Sequence, residues 1–275
     1  MKLHLLFGLV SAAGIIGAAC SQAQELSVTP LPRAHAHNDY LHERPLLDAL
    51  DQGFCSVEAD IFLVDGQLLV AHSFLELSKE RTLEELYFKP LRERVRENGG
   101  RVYPNGPEVT LLIDIKNNGA ETYRALDELL TKYEDVFTAT IDGTVRARAV
   151  TAIISGDRAF DVIAADATRY AGIDGRVSDL DSDRSSDLMP LISDNWRNHF
   201  QWRGTGHFPE EERRKLNQIV QQAHQENRRV RFWASPDNTA VWNVLNAAGV
   251  DLINTDDLPG LATFLHSTSA SEAKQ

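Results

Sequence analysis

Short apolar runs that end in polar residues alternate with amphipathic stretches along most of this chain. The apolar runs predict strands over residues 33–37, 55–62, 109–115, 148–154, 172–177, 191–193, 230–234 and 252–254. Between them, apolar residues recur at helical spacing and predict helices over 45–52, 82–98, 121–133, 209–227 and 238–248. Pro209 followed by three glutamates is a favourable helix start, because Pro suits the first turn and acids suit the positive end of the helix dipole. Strands that are apolar on both faces belong to a parallel sheet covered on both sides. Eight of them alternating with helices predict a (β/α)₈ TIM barrel, with an open doubly wound sheet as the alternative. The Asp65-Gly66 pair between two apolar runs adds a hairpin.

The ends of the chain read differently. Met1-Lys2 opens an apolar, small-residue run over 3–19 that is too short to span a membrane as a mature helix, so residues 1–23 read as a secretory signal. The alternative is lipidation at Cys20, in Gly17-Ala18-Ala19-Cys20. A polar linker over 24–32 leads into one domain over 33–266, and 267–275 forms a flexible tail. The chain is thus expected to be exported, periplasmic or secreted, with no transmembrane segment after signal removal. With Cys20 beside the signal, Cys55 has no disulfide partner, and in Phe54-Cys55-Ser56-Val57 it reads as a small core residue. The formal charge of −12, or −13 without the signal and its one Lys, argues against nucleic acid or an anionic membrane as the main partner.

The candidate chemistry lies at strand ends. His35 and His37 close the first strand, Glu58 and Asp60 alternate on the second, and Asp114 and Lys116 alternate on the third. Residues two apart on a strand share a face, so each pair presents its groups together. Paired hard oxygens suit a divalent cation such as Ca²⁺ or Mg²⁺, and neighbouring histidines suit proton transfer. The hairpin carries His72 back toward Glu58 and Asp60. One such pair alone would fit a structural ion pair, but three at successive strand ends describe a site. His35-Ala36-His37 also fits the His-x-His of a zinc amidohydrolase, although His199, His207, His224 and His266 do not supply the later ligands. A non-catalytic binding protein is the third reading. The acidic stretch 179–187 reads as a loop, Arg228-Arg229 as a solvated face, and Trp196, Phe200 and Trp202 as either a cleft wall or a barrel cap.

The order His, Glu-x-Asp, Asp-Gly, His, then acid-x-Lys resembles the phosphatidylinositol-phospholipase-C-like phosphodiesterase superfamily, which includes glycerophosphodiester phosphodiesterases. Within it, His35-Ala36-His37-Asn38-Asp39-Tyr40, Ser56-Val57-Glu58-Ala59-Asp60, Met189-Pro190-Leu191-Ile192-Ser193 and Val230-Arg231-Phe232-Trp233-Ala234 are most similar to the altered-inheritance-of-mitochondria protein 6 group. The stretch Gly249-Val250-Asp251-Leu252-Ile253-Asn254-Thr255-Asp256 looks like the last strand of the superfamily. The resemblance covers about residues 33–266. It implies a distorted TIM barrel, a divalent metal at Glu58, Asp60 and Asp114, and His72 as the second catalytic histidine. His35 and His37 both stand for the first histidine, with His37 preferred. Lys116 and Asn38 would contact a small or lipid-derived phosphodiester, with Trp233 as an apolar wall. The glycerophosphodiesterase His-Arg-Gly is not kept, since Asn38-Asp39 follows His37, and Ser73 follows His72 where an Asp is common. Those departures bear on the substrate more than on the reaction class.

Overall fold

The computed structural model describes residues 28–272; the expected signal, Cys20, the linker up to residue 27 and the last three residues lie outside it. Eight parallel strands form a barrel: β1 (Leu31–Ala36), β2 (Phe54–Val64), β3 (Val109–Ile115), β4 (Val150–Gly156), β5 (Ala171–Gly175), β6 (Leu191–Asn195), β7 (Arg229–Trp233) and β8 (Ile253–Thr255). From β1 to β7 each strand pairs with the next in chain order, and β8 pairs back with β1. A single bridge between Arg231 and Leu252 joins β7 to β8, so the (β/α)₈ ring is closed but distorted there. No helix among the described residues is long and apolar enough to cross a membrane.

The alternation of side chains explains both halves of the interior. Outward-facing Ala34, Val57, Ile61, Leu111, Ile113, Ile154, Ile192, Val230 and Ile253 belong to one large core shared with the surrounding helices. The inward rows run differently. Leu112, Ile153, Leu191 and Leu252 form a small apolar plug of their own. Two residues further along these strands the same inward face carries Asp114, Ser155, Ser193 and Asn254. The barrel is therefore dry at mid-height and polar toward its C-terminal mouth. Register fixes neighbours there: Asp60 lies beside Asp114, and Asp114 beside Ser155.

Connections differ from the simple alternation at several points. Val64 and Gln67 flank the Asp65-Gly66 turn, and the returning strand Gln67–Val70 pairs antiparallel with β2. The helix expected over 82–98 is a π-helical turn, Glu84–Phe88, followed by an α-helix, Lys89–Glu97. Pro90 at its start has no N–H to donate, so the regular i→i−4 ladder cannot run through the junction. Between β5 and β6 there is only a short 3₁₀ turn, Val177–Asp179, in keeping with the acidic loop. A small sheet of Ala139–Ile141, Thr144–Arg146 and Thr168–Arg169 was not foreseen, nor was the helix Phe160–Ala165. The helix Leu258–Glu272 runs through most of the stretch expected to be a flexible tail. Buried Leu258, Leu261, Ala262, Phe264 and Leu265 dock it on the core, and Thr268 and Ser269 hydroxyls bond back to the Leu265 carbonyl.

Two further expectations are settled by packing. Trp196, Phe200, Trp202, Phe208 and Phe232 stack in one buried cluster, so these aromatics belong to the core and not to a cleft wall. Arg228 is buried, not solvated; it donates to the carbonyls of Asp179 and Arg184, pinning the acidic loop.

Candidate active site

The C-terminal mouth of the barrel holds a cavity of about 380 Å³ lined by His37, Asn38, Glu58, Asp60, His72, Asp114, Lys116, Ser155, Gly156, Arg176, Arg231 and Trp233. All but one of the sequence-derived site residues thus face one space. His35 is the exception, being completely buried below the cavity. A larger cavity of about 590 Å³ opens at the other end, among residues that begin the strands. Chemistry in this architecture belongs to the mouth where strands end.

Glu58 is the lowest acid. Arg231 Nη2 donates to its Oε2 at 2.5 Å, and His35 Nε2 lies 3.2 Å from the same oxygen. Burial opposes its ionisation, but the Arg231 charge and the His35 hydrogen bond together outweigh burial and hold the carboxyl below the usual range. His35 is pushed down to about 3, first by burial and then by Arg231, so it is neutral. A carboxylate only accepts, so His35 Nε2 carries the proton, and Nδ1 accepts from Ser56 Oγ at 2.7 Å. His35 therefore props Glu58 from beneath, and sequence spacing had no means to separate it from His37.

Asp60 and Asp114 stand above, bridged by Lys116, whose Nζ lies 2.9 Å from Asp60 Oδ2 and 3.2 Å from Asp114 Oδ1. Burial raises both carboxyls, Asp60 to about 6, against the pull of Lys116. Burial also disfavours the Lys116 charge, but the two acids outweigh it and keep the ammonium protonated. Glu58, Asp60 and Asp114 each offer an oxygen within 4.8 Å of the others'. Asp60 Oδ1 is buried with no hydrogen-bond partner. An orphaned carboxylate oxygen beside two more hard oxygens fits a divalent cation. Among the described residues, no histidine joins a metal-capable group, so the His-x-His zinc site finds no support.

The two remaining histidines are each held by one ring nitrogen. His37 Nδ1 lies 2.8 Å from Asp256 Oδ1, with Asn38 Nδ2 2.9 Å away. Burial works against a charge on His37, yet the Asp256 hydrogen bond and the Glu58 charge hold it above its ordinary pKa. Tyr40 Oη lies within 2.7 Å of Asp60 Oδ2, 2.8 Å of Asn38 Oδ1 and 2.9 Å of His72 Nδ1. With one proton to give, Tyr40 gives it to the carboxylate, and His72 Nδ1–H donates to Oη. The Tyr40 and His72 rings also stack, with centroids 6.4 Å apart. In both histidines Nε2 is left for the cavity.

Several residues at this mouth carried no role in the sequence. Tyr40, Arg231 and Asp256 stood inside family-like motifs, and Arg231 and Asp256 share strand faces with Trp233 and Asn254, a signal alternation offered. Asp174 and Arg176 had only such alternation. Asp174 accepts from Ser155 Oγ and Arg176 Nη1, each at 2.8 Å, and burial lifts its carboxyl to about 6.

Comparison with known proteins agrees with this fold. Residues 24–173 match the family model of the AIM6-like phosphodiesterase domain, and residues 229–259 match that of the glycerophosphoryl diester phosphodiesterase family. Altered inheritance of mitochondria protein 6 of Eremothecium gossypii is 30% identical, over 86% of this chain and 70% of its own length. Its homolog in Arthroderma benhamiae is 27% identical, over 84% of this chain and 82% of its own. A crystal structure of a glycerophosphodiester phosphodiesterase from Parabacteroides distasonis superposes with a TM-score of 0.53 at 13% identity, covering 88% of this chain and 99% of that one. The one from Agrobacterium tumefaciens gives 0.51 at 14%, covering 85% and 99%. At such identities the likeness to solved structures is one of fold. The matched family model spans more than half of the chain, and the chain belongs to the AIM6-like phosphodiesterase domain family.

Proposed function

We propose that this protein is a metal-dependent phosphoric diester hydrolase in which His37 and His72 exchange protons with the substrate. The observation that carries this reading is the shared cavity: two histidines with free Nε2 atoms, three clustered carboxylates and the Lys116 ammonium line one mouth. Glu58, Asp60 and Asp114 would hold Ca²⁺ or Mg²⁺, which when bound offsets charge developing on a phosphoryl oxygen. Lys116 gives the diester a second positive contact. His37, favoured in its protonated form by Asp256, donates to the leaving alkoxide. His72, oriented by Tyr40, takes the proton from the attacking hydroxyl. Trp233 supplies an apolar wall, and Asn38 a polar contact beside His37. Arg231 and His35 fix Glu58 in place.

The test is hydrolysis of a panel of alkyl phosphodiesters by the whole protein. Wild type loses activity to a chelator and regains it with Ca²⁺ or Mg²⁺. His37→Ala and His72→Ala each lose about 10²–10⁴-fold in kcat. Activity that survives chelation, or that both variants retain, would refute the assignment.

A further inference from the structure

Five large apolar side chains are exposed among the described residues: Val28, Leu41, Phe74, Leu75 and Val145. Val28 precedes β1, and Val145 lines the cavity at the opposite end of the barrel. The other three crowd the catalytic mouth. Leu41, 64% exposed, ends the 3₁₀ turn Asp39–Leu41 just after His37 and Asn38. Phe74 and Leu75, 66% and 96% exposed, follow His72 directly. Isolated exposed apolar residues are common, but three concentrated at one functional rim mark a contact surface.

The rim is built, not frayed. Ser73 N donates to Glu76 Oε2 at 3.1 Å and Glu76 N to the Ser73 carbonyl at 3.1 Å, which holds Phe74–Glu76 in a 3₁₀ turn with its apolar tip outward. The Phe74 ring packs edge-on against Phe62, with centroids 6.2 Å apart. Arg81 Nη2 donates to the Tyr40 carbonyl at 2.5 Å, and Tyr40 Oη meets His72. The loop bearing Leu41 and the loop bearing Phe74 and Leu75 are thereby tied into one edge. Ordering these side chains in water without burying them is unfavourable unless something apolar covers them.

The charges beside the tip select what that is. Glu43, Glu76 and Glu80 are at the same edge; Arg44 is already paired with Asp48 and Asp51, and Arg81 donates to the Tyr40 carbonyl, so the three acids outnumber the cations Lys79 and Arg81. The formal charge of the chain is −12. Such an edge is repelled by an anionic surface and suits a zwitterionic one.

We propose that Leu41, Phe74 and Leu75 seat the cavity mouth on a zwitterionic phospholipid surface, so that the diester cleaved is that of a lipid headgroup. The substrate part of this inference rests on the phosphodiesterase reading; the docking part does not. Membrane contact of this kind inserts the apolar tip at the headgroup boundary and presents the phosphodiester plane to His37, His72 and Lys116.

Flotation with phosphatidylcholine vesicles tests it. Wild type partitions to the vesicles, Phe74→Ser/Leu75→Ser partitions at least about tenfold less, and Leu41→Ser severalfold less. All three retain the wild-type circular dichroism spectrum and turn over a soluble aryl phosphodiester at the same rate, whereas cleavage of vesicle lipid falls with partitioning. A wild type that does not float with vesicles, or variants that float equally, overturns the proposal. So does a wild-type dimer that these substitutions dissociate without any vesicle binding, which would assign the patch to a second copy of the chain. Vesicle binding lost in the variants with no diester cleaved by any form upholds the docking surface and refutes the catalytic reading.

Discussion

Replacing Arg231 by Met strands the Glu58 charge inside the barrel. In the native protein Glu58 Oε2 accepts from Arg231 Nη2 at 2.5 Å, both side chains are nearly inaccessible, and the second neighbour, His35, is neutral. Removing one partner of a buried pair costs about 3–5 kcal/mol, because the remaining charge is left in a poorly solvating interior. For a domain of this size that lowers Tm by roughly 6–20 °C. The loss also depends on pH. With Arg231 present, the Glu58 carboxyl lies below its unfolded value, so the pair's stabilisation is complete above that value and fades only in acid. Without Arg231, burial is opposed chiefly by the hydrogen bond from neutral His35 and lifts the carboxyl above its unfolded value. The variant is then penalised increasingly as pH rises, by about 1.4 kcal/mol per pH unit until the lifted pKa is passed. Urea unfolding followed by tryptophan fluorescence at pH 5 and pH 8 measures both effects. The expected result is a larger wild-type-to-variant gap at pH 8, with the slope m unchanged. Arg231→Met combined with Glu58→Gln recovers part of the loss, since no charge is left unpaired. A cost below about 1 kcal/mol, or a gap independent of pH, would refute the description of Glu58 as a buried carboxylate held by Arg231.

Gly156→Ala strikes the site from the backbone. Gly156 has φ +69°, and a Cβ there collides with Asp114 Oδ1 and the Ile115 carbonyl. The substitution costs about 1–3 kcal/mol of strain and weakens divalent-cation binding, read by calorimetric titration; unchanged affinity would contradict the placement of Asp114. Asp39 tests a buried carboxyl outside the cavity. Burial raises it to about 7 despite hydrogen bonds from Leu46 N and Tyr87 Oη. A raised acid binds more protons when folded, so its contribution is most favourable below its unfolded pKa and is lost as pH rises toward 7. Between pH 5 and pH 8 the wild type loses about 2–3 kcal/mol at this group, and Asp39→Asn shows a correspondingly flatter pH–stability curve. Equal slopes for the two proteins would refute it.

Much of the scaffold was legible because local pattern and tertiary burial agree. β3 spans the predicted residues 109–115, where an apolar run sits between Glu108 and Lys116. The Asp65-Gly66 turn and the return of His72 follow from short-range chemistry. The hairpin at Asp142-Gly143 has a similar turn, yet its second strand, Thr144–Arg146, is exposed and carries no apolar alternation to notice. The site was legible as far as period-two alternation reaches, which brought Glu58, Asp60, Asp114 and Lys116 to one face. It stopped where partners come from across the ring. Arg231 meets Glu58 from 173 residues away, and Asp256 meets His37 from 219. The choice between His35 and His37 depended on those contacts. Both share a strand face, and only the depth of the cavity leaves one beneath Glu58 and the other at the mouth.

The most direct test of the account compares alkyl and aryl phosphodiesters in the two histidine variants. An aryl leaving group departs without help from an acid, whereas an alkoxide needs a proton. If His37 protonates the leaving group and His72 activates the nucleophile, His37→Ala loses at least about 10²-fold in kcat on alkyl diesters and far less on aryl ones. His72→Ala loses comparably on both. Equal losses in His37→Ala on the two substrate types would contradict its role as the acid, and wild-type rates in both variants would contradict the site itself.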